Sequence, residues 1–438
     1  MGPAGHGSGP LSTAVTATAG QGELRDWVEA VSGGPVRSWE PLGAGNSRSL
    51  VAARVDTADG PRDVVARADY GDGPLSGTEL TLTREAVVYR ALDGLRTGAD
   101  TDVRTPRLLG FDEPRKRMLL TRAAGTAEWS DDVLDGLLVE LGRLHALDPA
   151  RMELPGWGRR AEDDVELWAR VADRIRPRSD LVDLAFQILR EHFPGEPVRL
   201  ALCHGDAGPG NVLHVEGTVS ALLDWEFAHL GDPVDDLAWI TVRAVLHGLE
   251  LPDFAARVRA HYEPHAGISV DGDRLAYWQA VTLVRNLVSC LGALANPVRG
   301  RDRLLHLMLV PALERLVVGS LAELEGVALR STPAPSGPAD LPGGDVLREV
   351  TAALDDVLPA VGDGDAHQRG RRLRLLLRQL AQTWVLAPDI ARVEAAETPA
   401  ADRAARLQQL ADRAERRIAL FPRTGAMGHS ILAGMRRS

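Results

Sequence analysis

Three side chains near the middle of the chain have the types and spacing of a catalytic and metal-binding set. Asp206 and Asn211 follow an apolar stretch with four residues between them, and Asp224 comes thirteen residues after Asn211. In phosphoryl transfer, this order provides an aspartate that accepts a hydroxyl proton, then an asparagine and an aspartate that hold magnesium. Carboxylate and amide oxygens suit a hard divalent cation, whereas zinc prefers nitrogen and sulfur ligands. The pattern therefore predicts phosphoryl transfer with Mg²⁺.

The segment between the asparagine and the second aspartate predicts the element that brings them together. Val212–Val215 and Thr218–Leu223 are short apolar and β-branched runs on either side of Glu216-Gly217, a pattern typical of a β-hairpin. Such a hairpin places Leu222 opposite Asn211, so that the amide and the second carboxylate lie within a residue or two of each other. Each residue alone could instead cap a turn or begin a loop, but the joint spacing favours a site.

These residues also carry a resemblance to a known family. His204-Gly205-Asp206 with Asn211, followed by Asp224-Trp225-Glu226, resembles the aminoglycoside phosphotransferase and choline kinase-like family, which shares the protein kinase fold. The run Leu230-Gly231-Asp232-Pro233 with Asp236-Leu237-Ala238-Trp239 is similar to a subgroup associated with acyl-CoA dehydrogenases, in which hydroxyacyl substrates are phosphorylated. The resemblance spans residues 24–325. It implies an α+β fold with two lobes, a small β-rich N-lobe and a mainly helical C-lobe.

The resemblance also implies roles for individual residues. Asp206 would accept or orient the acceptor hydroxyl, and Asn211 and Asp224 would hold Mg²⁺. Three more residues of the two motifs are expected to support the site, and the last of them would anchor the catalytic loop through a hydrogen bond. These supporting residues are His204, Glu226 and Asp236.

A nucleotide site is predicted upstream, in two parts. A glycine-rich run lies between the predicted strands Val36–Leu42 and Ser49–Val55, and its backbone N–H groups could cover phosphates. A tight turn needs the same glycines, so this signal is weak by itself. The candidate residues are Gly43, Gly45, Asn46 and Ser47.

The second part is a cation and a carboxylate on successive elements. In the phosphotransfer template, a strand cation grips the α- and β-phosphates and is held by a glutamate on the next helix. Arg67, on the predicted strand Asp63–Ala68, and Glu85, on the predicted helix Thr81–Leu92, are the candidates. Most relatives have lysine here, although the hydroxyacyl-kinase-like subgroup has arginine, which offers permanent charge and a two-pronged fork. The alternative is an exposed strand arginine and a helix-surface glutamate.

Two acidic or aromatic stretches further along have competing interpretations. The run Glu162-Asp163-Asp164 is expected to be a solvated helix start, with attraction of a cationic substrate as the alternative. The stretch from Tyr277-Trp278 to Arg285-Asn286 would line the acceptor pocket by resemblance, although aromatic residues at helical spacing are more often core.

Composition limits the partners. The formal net charge of -11 argues against nucleic acid or an anionic membrane as the main partner. Among the 50 basic residues Lys116 is the single lysine, so any role usually filled by lysine must fall to arginine. The most apolar late segment, Leu304–Leu324, is interrupted by charged residues and a proline, and the chain starts without a signal-peptide pattern. We expect a cytoplasmic protein with reduced cysteines, Cys203 and Cys290.

The chain is expected to contain five segments. Residues 1–22 are small and polar, which predicts disorder. Residues 23–122 would form the N-lobe and residues 123–326 the C-lobe. Residues 327–344 are rich in proline and glycine, which is typical of a linker. Residues 345–438 have helical periodicity, which predicts a small all-α domain. This segment resembles an uncharacterised helical module fused to such kinases, and it could form a homodimer contact.

The favoured function is an ATP-dependent phosphotransferase that acts on a small-molecule hydroxyl, with a hydroxyacyl-CoA or hydroxy acid as acceptor. An aminoglycoside, macrolide or choline-like amino alcohol is the alternative acceptor. A different class is a nucleotide-binding pseudokinase that serves as a scaffold. Its usual signature would be loss of Asp206, Asn211 or Asp224, and all three residues are present.

Overall fold

The structure is a computed structural model that describes most of the chain. The described residues are 11–44, 48–69, 75, 77–97, 103–295, 303–331, 344–357, 377, 386–387, 390–418 and 420. They divide into two compact units that alternate along the sequence. Unit one takes residues up to Arg159, Leu200–Leu230 and Arg257–Ile268, and unit two takes the rest.

Unit one contains a five-stranded antiparallel sheet in the order β1-β2-β3-β5-β4. Its strands are β1 Val36–Ala44, β2 Arg48–Thr57, β3 Gly60–Asp69, β4 Leu108–Asp112 and β5 Arg117–Thr121. In β3 the side chains alternate, so that Val64, Ala66 and Ala68 are buried on one face while Arg67 lies on the other. The sheet therefore presents the candidate cation on the face opposite to its main apolar cluster.

Two helices accompany the sheet. Helix α1, Leu11–Ser32, packs Leu24 and Val28 against the apolar face of the sheet. Helix α2, Leu82–Thr97, carries Glu85 in its first turn. Helix α1 begins earlier than expected, since disorder was predicted for residues 1–22. Residues 11–22 include threonines and glycines, which have low helix propensity, so the helix there extends the turns that Leu24 and Val28 anchor on the sheet, whereas residues 1–10 lie outside the described residues.

The rest of unit one builds the candidate site. Helix α3, Asp131–Ala146, begins where the Ser130 hydroxyl accepts a hydrogen bond from the Val133 N–H. Strands β7 Val212–Val215 and β8 Thr218–Leu222 form a hairpin, and short elements flank it on both sides. These are β6 Ala201–Cys203, the turn Trp225–Phe227, β9 His229–Gly231, the π-helical turn Val258–Tyr262 and α8 Glu263–Ala266. The last residue of β9, Gly231, belongs to unit two. The predicted hairpin is therefore present.

Unit two is helical. Its described helices are α4 Glu162–Ala172, α5 Asp180–Glu191, α6 Val234–Leu246, α7 Phe254–Arg257, α9 Gly272–Ala295, α10 Arg303–Leu324, α11 Gly344–Val357 and α12 Arg403–Ile418. The last residue of α7, Arg257, is also the first residue of the third range of unit one. Helix α10 packs against both α9 and α12. A sheet-bearing unit and a helical unit confirm the predicted α+β class. Among the described helices, none is both long and apolar enough to cross a bilayer.

Helix α12 belongs to the segment that was predicted to be a separate all-α domain. Leu407, Leu410, Ala411 and Ala414 are buried along one of its faces. Its arginines pair with carboxylates on neighbouring elements, including Arg403 with Glu325, where the nitrogen and oxygen are 3.0 Å apart. Residues 332–343, most of the predicted linker, lie outside the described residues. The domain boundaries remain a prediction, and α12 packs on a helix that precedes the linker.

Candidate active site

The hairpin places the two metal-ligand candidates next to each other. Val212 pairs with Leu222 across β7 and β8, and the Leu223 N–H donates to the Asn211 carbonyl at 2.9 Å. The sequence-based register, with Leu222 opposite Asn211, was therefore wrong by one residue. The hairpin has an irregularity between Leu213 and His214, which shifts the pairing. Asp224 still follows directly after the residue that faces Asn211.

The loop before β7 orients the candidate base and the amide together. The Asn211 side-chain NH₂ donates to the Asp206 carboxylate at 2.6 Å and to the Asp206 carbonyl at 2.9 Å. Both side chains are buried. Since the amide nitrogen is engaged in these bonds, the amide oxygen is the atom that Asn211 offers to a cation.

Asp224 sits in an unusual backbone conformation. Its φ of 68° and ψ of 65° lie in the left-handed region, which costs energy for a residue with a side chain. The buried Trp225 helps to hold this geometry, because its indole N–H donates to the Leu222 carbonyl at 3.3 Å. Strained backbone of this kind is concentrated at functional positions. The left-handed conformation therefore supports Asp224 as a candidate functional residue whose side-chain direction is set by the fold.

His204 braces the loop against the start of this turn. The Asp206 N–H donates to His204 Nδ1 at 3.3 Å, and His204 Nε2 lies 2.9 Å from the Leu223 carbonyl. A neutral ring with its proton on Nε2 satisfies both contacts, since Nδ1 then accepts and Nε2 donates. The imidazole also packs on the Trp225 ring, with centroids 4.4 Å apart. His204 thus connects the residues on either side of the site.

Arg67 joins the strand, the helix and the turn. One guanidinium nitrogen pairs with Glu85, and the other donates to the Asp224 carboxylate at 2.9 Å. Glu85 is fully buried, so the alternative of a surface glutamate does not hold. Burial by itself would lower the pKa of the Arg67 guanidinium, but the carboxylates of Glu85 and Asp224 outweigh burial and raise that pKa. The arginine therefore stays charged between two anions.

The other candidates are distributed as follows. Glu226 is half-buried in the Trp225–Phe227 turn of unit one, and Asp236 is buried in the first turn of α6 in unit two. Gly43 belongs to β1. The remaining candidates of the glycine-rich run, Gly45, Asn46 and Ser47, lie outside the described residues.

Two contacts were missed by the sequence reasoning. The direct pair between Arg67 and Asp224 joins residues 157 positions apart, and no local pattern signals it. The second involves Arg84, the neighbour of Glu85, which donates to the Ala228 carbonyl just beyond the Asp224 turn. Its position beside the candidate glutamate was the only available sign.

Unit two contains a second arginine between two carboxylates. Arg285 pairs with Asp164, and its other terminal nitrogen lies 2.8 Å from Asp235. All three side chains are buried, so the expectation of a solvated helix start was wrong for Asp164. The amphipathic pattern of α4 turns this position inward, with Val165 and Trp168 also buried. The acidic residue that was the alternative candidate for a cationic substrate is already neutralised by Arg285.

The aromatic residues of α9 are also part of the interior of unit two. The Trp278 indole N–H donates to the Asp232 carboxylate at 2.8 Å, and the Tyr277 hydroxyl donates to the Leu189 carbonyl at 3.1 Å. Burial raises the pKa of the Tyr277 hydroxyl, which keeps it protonated. The described contacts support a packing role for these two residues.

Comparisons with known proteins identify a matching family model and structures of similar fold. A family model described as phosphotransferase enzyme family matches residues 38–278, more than half of the chain. Among solved structures, a Ralstonia eutropha protein named as an aminoglycoside phosphotransferase is 20% identical to this chain. The match has a TM-score of 0.52 and covers 69% of this chain and 97% of that one. At this identity the likeness shows the fold alone, and it confirms the predicted kinase-like α+β fold.

Two further structures have lower TM-scores. A macrolide 2'-phosphotransferase from Brachybacterium faecium is 19% identical, with a TM-score of 0.45 over 63% of this chain and 98% of that one. A choline/ethanolamine kinase family protein from Mesorhizobium loti is 18% identical, with a TM-score of 0.47 over 70% of this chain and 94% of that one.

Proposed function

Because the chain belongs to the phosphotransferase enzyme family, we propose that it transfers the terminal phosphoryl group of ATP to a hydroxyl group of a small molecule. The observation that carries this proposal is the contact of Arg67 with both Glu85 and Asp224. A strand cation held by a helix glutamate is the arrangement that grips nucleotide phosphates in kinase-like enzymes. Since ATP is the donor, the proposed location is the cytoplasm.

The donor atoms at the hairpin fit a magnesium ion. Asn211 offers an amide oxygen and Asp224 a carboxylate, and both are hard oxygen ligands. Asp224 keeps 34% of its side-chain surface exposed, so a ligand can reach it. When bound, Mg²⁺ would neutralise charge on the phosphates. In this proposal Arg67 balances the Asp224 carboxylate and attracts the phosphates on the same side.

Asp206 is the proposed catalytic residue. Its carboxylate accepts a hydrogen bond from Asn211, which fixes its orientation beside the metal candidates. A carboxylate in this place can orient the acceptor hydroxyl and accept its proton. Little covalent chemistry is required of the protein, so most of the rate would come from positioning and charge neutralisation.

The proposed acceptor is a hydroxyacyl-CoA or a related hydroxy acid, and it rests on the resemblance of the Trp225-Glu226 and Gly231-Asp232-Pro233 motifs. Asp232 accepts a hydrogen bond from Trp278 and pairs with Arg274. This part of the motif therefore builds the interior of unit two, which weakens it as a sign of substrate. Amino alcohols such as aminoglycosides, macrolides or choline are the second candidate class, to which the name of the compared Ralstonia eutropha protein points.

The test is a thermal-shift screen of the full chain with Mg²⁺ and a non-hydrolysable ATP analogue. Hydroxyacyl-CoAs, hydroxy acids, aminoglycosides, macrolides and choline are added singly, and compounds that raise the melting temperature are then assayed for ADP release with ATP. We expect a hydroxyacyl compound to shift the wild type and to be phosphorylated. The Asp206→Ala variant is the control, because it should bind the same compound without turning it over.

Turnover of an amino alcohol and none of the hydroxyacyl compounds would replace the acceptor assignment and leave the phosphotransferase assignment standing. Binding of nucleotide without any turnover across the panel would favour the pseudokinase scaffold. No shift with nucleotide and Mg²⁺ would contradict both.

A further inference from the structure

The turn that follows Asp224 is held from two sides within unit one. On one side lies Gly205 of the catalytic loop, with a φ of 77°. A Cβ atom at Gly205 would lie 2.1 Å from the Phe227 carbonyl oxygen, so only glycine allows the loop to approach the turn this closely. The catalytic loop and the metal-ligand turn are therefore in direct backbone contact.

On the other side lies helix α2, which packs against the turn Trp225–Phe227. Arg84 of this helix donates from Nε to the Ala228 carbonyl at 2.5 Å. Its guanidinium carbon lies 4.2 Å above the centre of the Trp157 ring. A charge-assisted hydrogen bond and a cation–π contact at one guanidinium fix its position more firmly than either contact alone.

Adjacent residues of α2 thus reach Asp224 by two routes. Glu85 holds Arg67, which contacts the Asp224 carboxylate. Arg84 holds the backbone at Ala228, where the turn that begins at Asp224 ends. Because Asp224 is in a strained left-handed conformation, its carboxylate keeps its direction only while the turn around it is held.

We infer that Arg84 is a positioning residue for the phosphoryl-transfer site, and that Trp157 in turn orients Arg84. Arg84 couples the helix that carries Glu85, the residue that holds Arg67, to the turn that carries the proposed metal ligand. The inference rests on the proposed function. Neither residue touches substrate in this scheme, and both act through the placement of Asp224.

The chain offers a matched control on the same helix. Arg90 also lies over an aromatic ring, with its guanidinium carbon 5.4 Å from the centre of Phe111. Arg90 is exposed, and the described hydrogen bonds include none from it to the Asp224 turn. Replacing Arg90 removes the same charge and a similar ring contact without touching the turn.

The experiment uses the full chain and measures binding of a non-hydrolysable ATP analogue by calorimetry, with and without Mg²⁺. Arg84→Ala should weaken binding of the analogue with Mg²⁺ about tenfold, since a hydrogen bond from a charged group is lost, and should leave metal-free binding unchanged. Arg84→Lys should recover part of the loss because charge over the ring is kept. Trp157→Phe should resemble the wild type, Trp157→Ala should resemble Arg84→Ala, and Arg90→Ala should change neither measurement.

A merely structural Arg84 would lower the melting temperature while the effect of Mg²⁺ on binding stayed as in the wild type, and that result would overturn the inference. Equal losses in Arg84→Ala and Arg90→Ala would overturn it as well. If Arg84→Ala does not fold, the Trp157 pair and Arg84→Lys decide the question by the same criterion. A wild type that binds no nucleotide would overturn the proposed function and this inference with it, which separates the two failures.

Discussion

Arg67 and Arg285 are each paired with two carboxylates, and the two clusters differ in access to solvent. The Arg67 cluster consists of Arg67, Glu85 and Asp224, and the Arg285 cluster consists of Arg285, Asp164 and Asp235. In the Arg67 cluster the aspartate is 34% exposed, whereas no side chain of the Arg285 cluster exceeds 1%. A sealed cluster cannot exchange a partner without a large desolvation cost, but an open one can. The same three charges therefore leave room for a ligand in one unit, in agreement with the proposed function, and stabilise the fold in the other.

Backbone geometry separates the clusters in the same way. Asp224 has a φ of 68° and stands at the start of a turn. Asp164 and Asp235 belong to the first turns of the regular helices α4 and α6, where a negative charge is favoured by the helix dipole. Asp224 of the Arg67 cluster has a strained backbone, whereas Asp164 and Asp235 of the Arg285 cluster do not. This difference agrees with a chemical role for the Arg67 cluster and a structural role for the Arg285 cluster.

The largest effect on activity is expected from Asp224→Asn. Asparagine tolerates the left-handed conformation, so the backbone is kept while the charge is lost. Turnover should fall on the order of 10³-fold or more, because a charged group that orders the phosphates is removed. ADP release and the melting temperature are the two measurements. Near wild-type turnover in the folded variant would remove the metal-ligand role and end the contrast between the clusters.

The largest effect on stability is expected from Arg285→Met, which leaves Asp164 and Asp235 buried without their cation. Unfolding in urea should show a loss of about 3–5 kcal/mol. A triple variant that adds Asp164→Asn and Asp235→Asn to Arg285→Met should recover most of this loss, since no uncompensated charge remains. Arg67→Met is the matched variant in the open cluster and should cost less stability, because it leaves one buried carboxylate, Glu85, without its cation instead of two, and water can reach Asp224. Equal losses would show that burial does not distinguish the clusters.

Asp206→Ala sharpens the comparison by testing a carboxylate outside both clusters. Removing a general base or hydroxyl-orienting group should lower turnover on the order of 10²-fold. Nucleotide affinity should change little, since the Arg67 cluster is intact. Calorimetry with an ATP analogue separates the two quantities. A collapse of nucleotide affinity would instead assign Asp206 a structural role in the loop.

A chain that ends at Ser331 tests whether the region beyond the predicted linker takes part in chemistry. Turnover per folded molecule should stay within about twofold, because every proposed site residue precedes this point. The melting temperature should fall, since Leu407 and Leu410 no longer cover α10 and the exposed ion pairs of α12 add little. Light scattering on both chains tests the proposed homodimer. A folded truncation without activity would place part of the site beyond the linker.

The smallest effect is expected at Arg417, another arginine with two carboxylates, whose side chain is more exposed than that of Arg67 or Arg285. Arg417 contacts Glu314 at 3.2 Å and Glu394 at 2.9 Å, with 35% of its side chain exposed. Burial raises the pKa of Glu314 above its ordinary value of 4.5, although Arg417 opposes the shift. The group therefore stabilises the fold below its unfolded pKa, and this contribution is lost as the pH rises through the folded pKa.

Glu314→Gln removes this dependence and keeps an acceptor for Arg417. As the pH rises from acidic to neutral, the free energy of unfolding of the variant should increase relative to that of the wild type, by less than about 1 kcal/mol. Urea unfolding of both proteins at acidic and at neutral pH measures this change in the free energy of unfolding. If the variant were more stable than the wild type at acidic pH only, the pH dependence would have the opposite sign, and burial would not be the cause of the raised pKa.

Local patterns explain which parts of the site were predictable. Asp206, Asn211 and Asp224 lie within one loop and one hairpin, so spacing and strand periodicity were enough to bring them together, with an error of one residue in the register. Arg67 and Glu85 needed a template, because their contact crosses from a strand to a helix.

The burial of Asp164 could not be predicted in this way. Its cation, Arg285, lies 121 positions away, and an acidic helix start is usually solvated. The early start of α1 was missed because composition describes the isolated segment and not the helix that it extends.

An arginine at the proposed phosphate-gripping position also changes which proteins chemical labels can detect. Acylating nucleotide analogues modify an enzyme when an amine beside the phosphates attacks the reagent, and a guanidinium does not lose the proton that such an attack requires. The single lysine, Lys116, is in the turn between β4 and β5, where its amino group donates to the Thr83 hydroxyl at 2.6 Å. A survey of ATP-binding proteins by amine capture would therefore pass over the Arg67 position, and an inhibitor designed to acylate a lysine beside the phosphates would have no attachment point there.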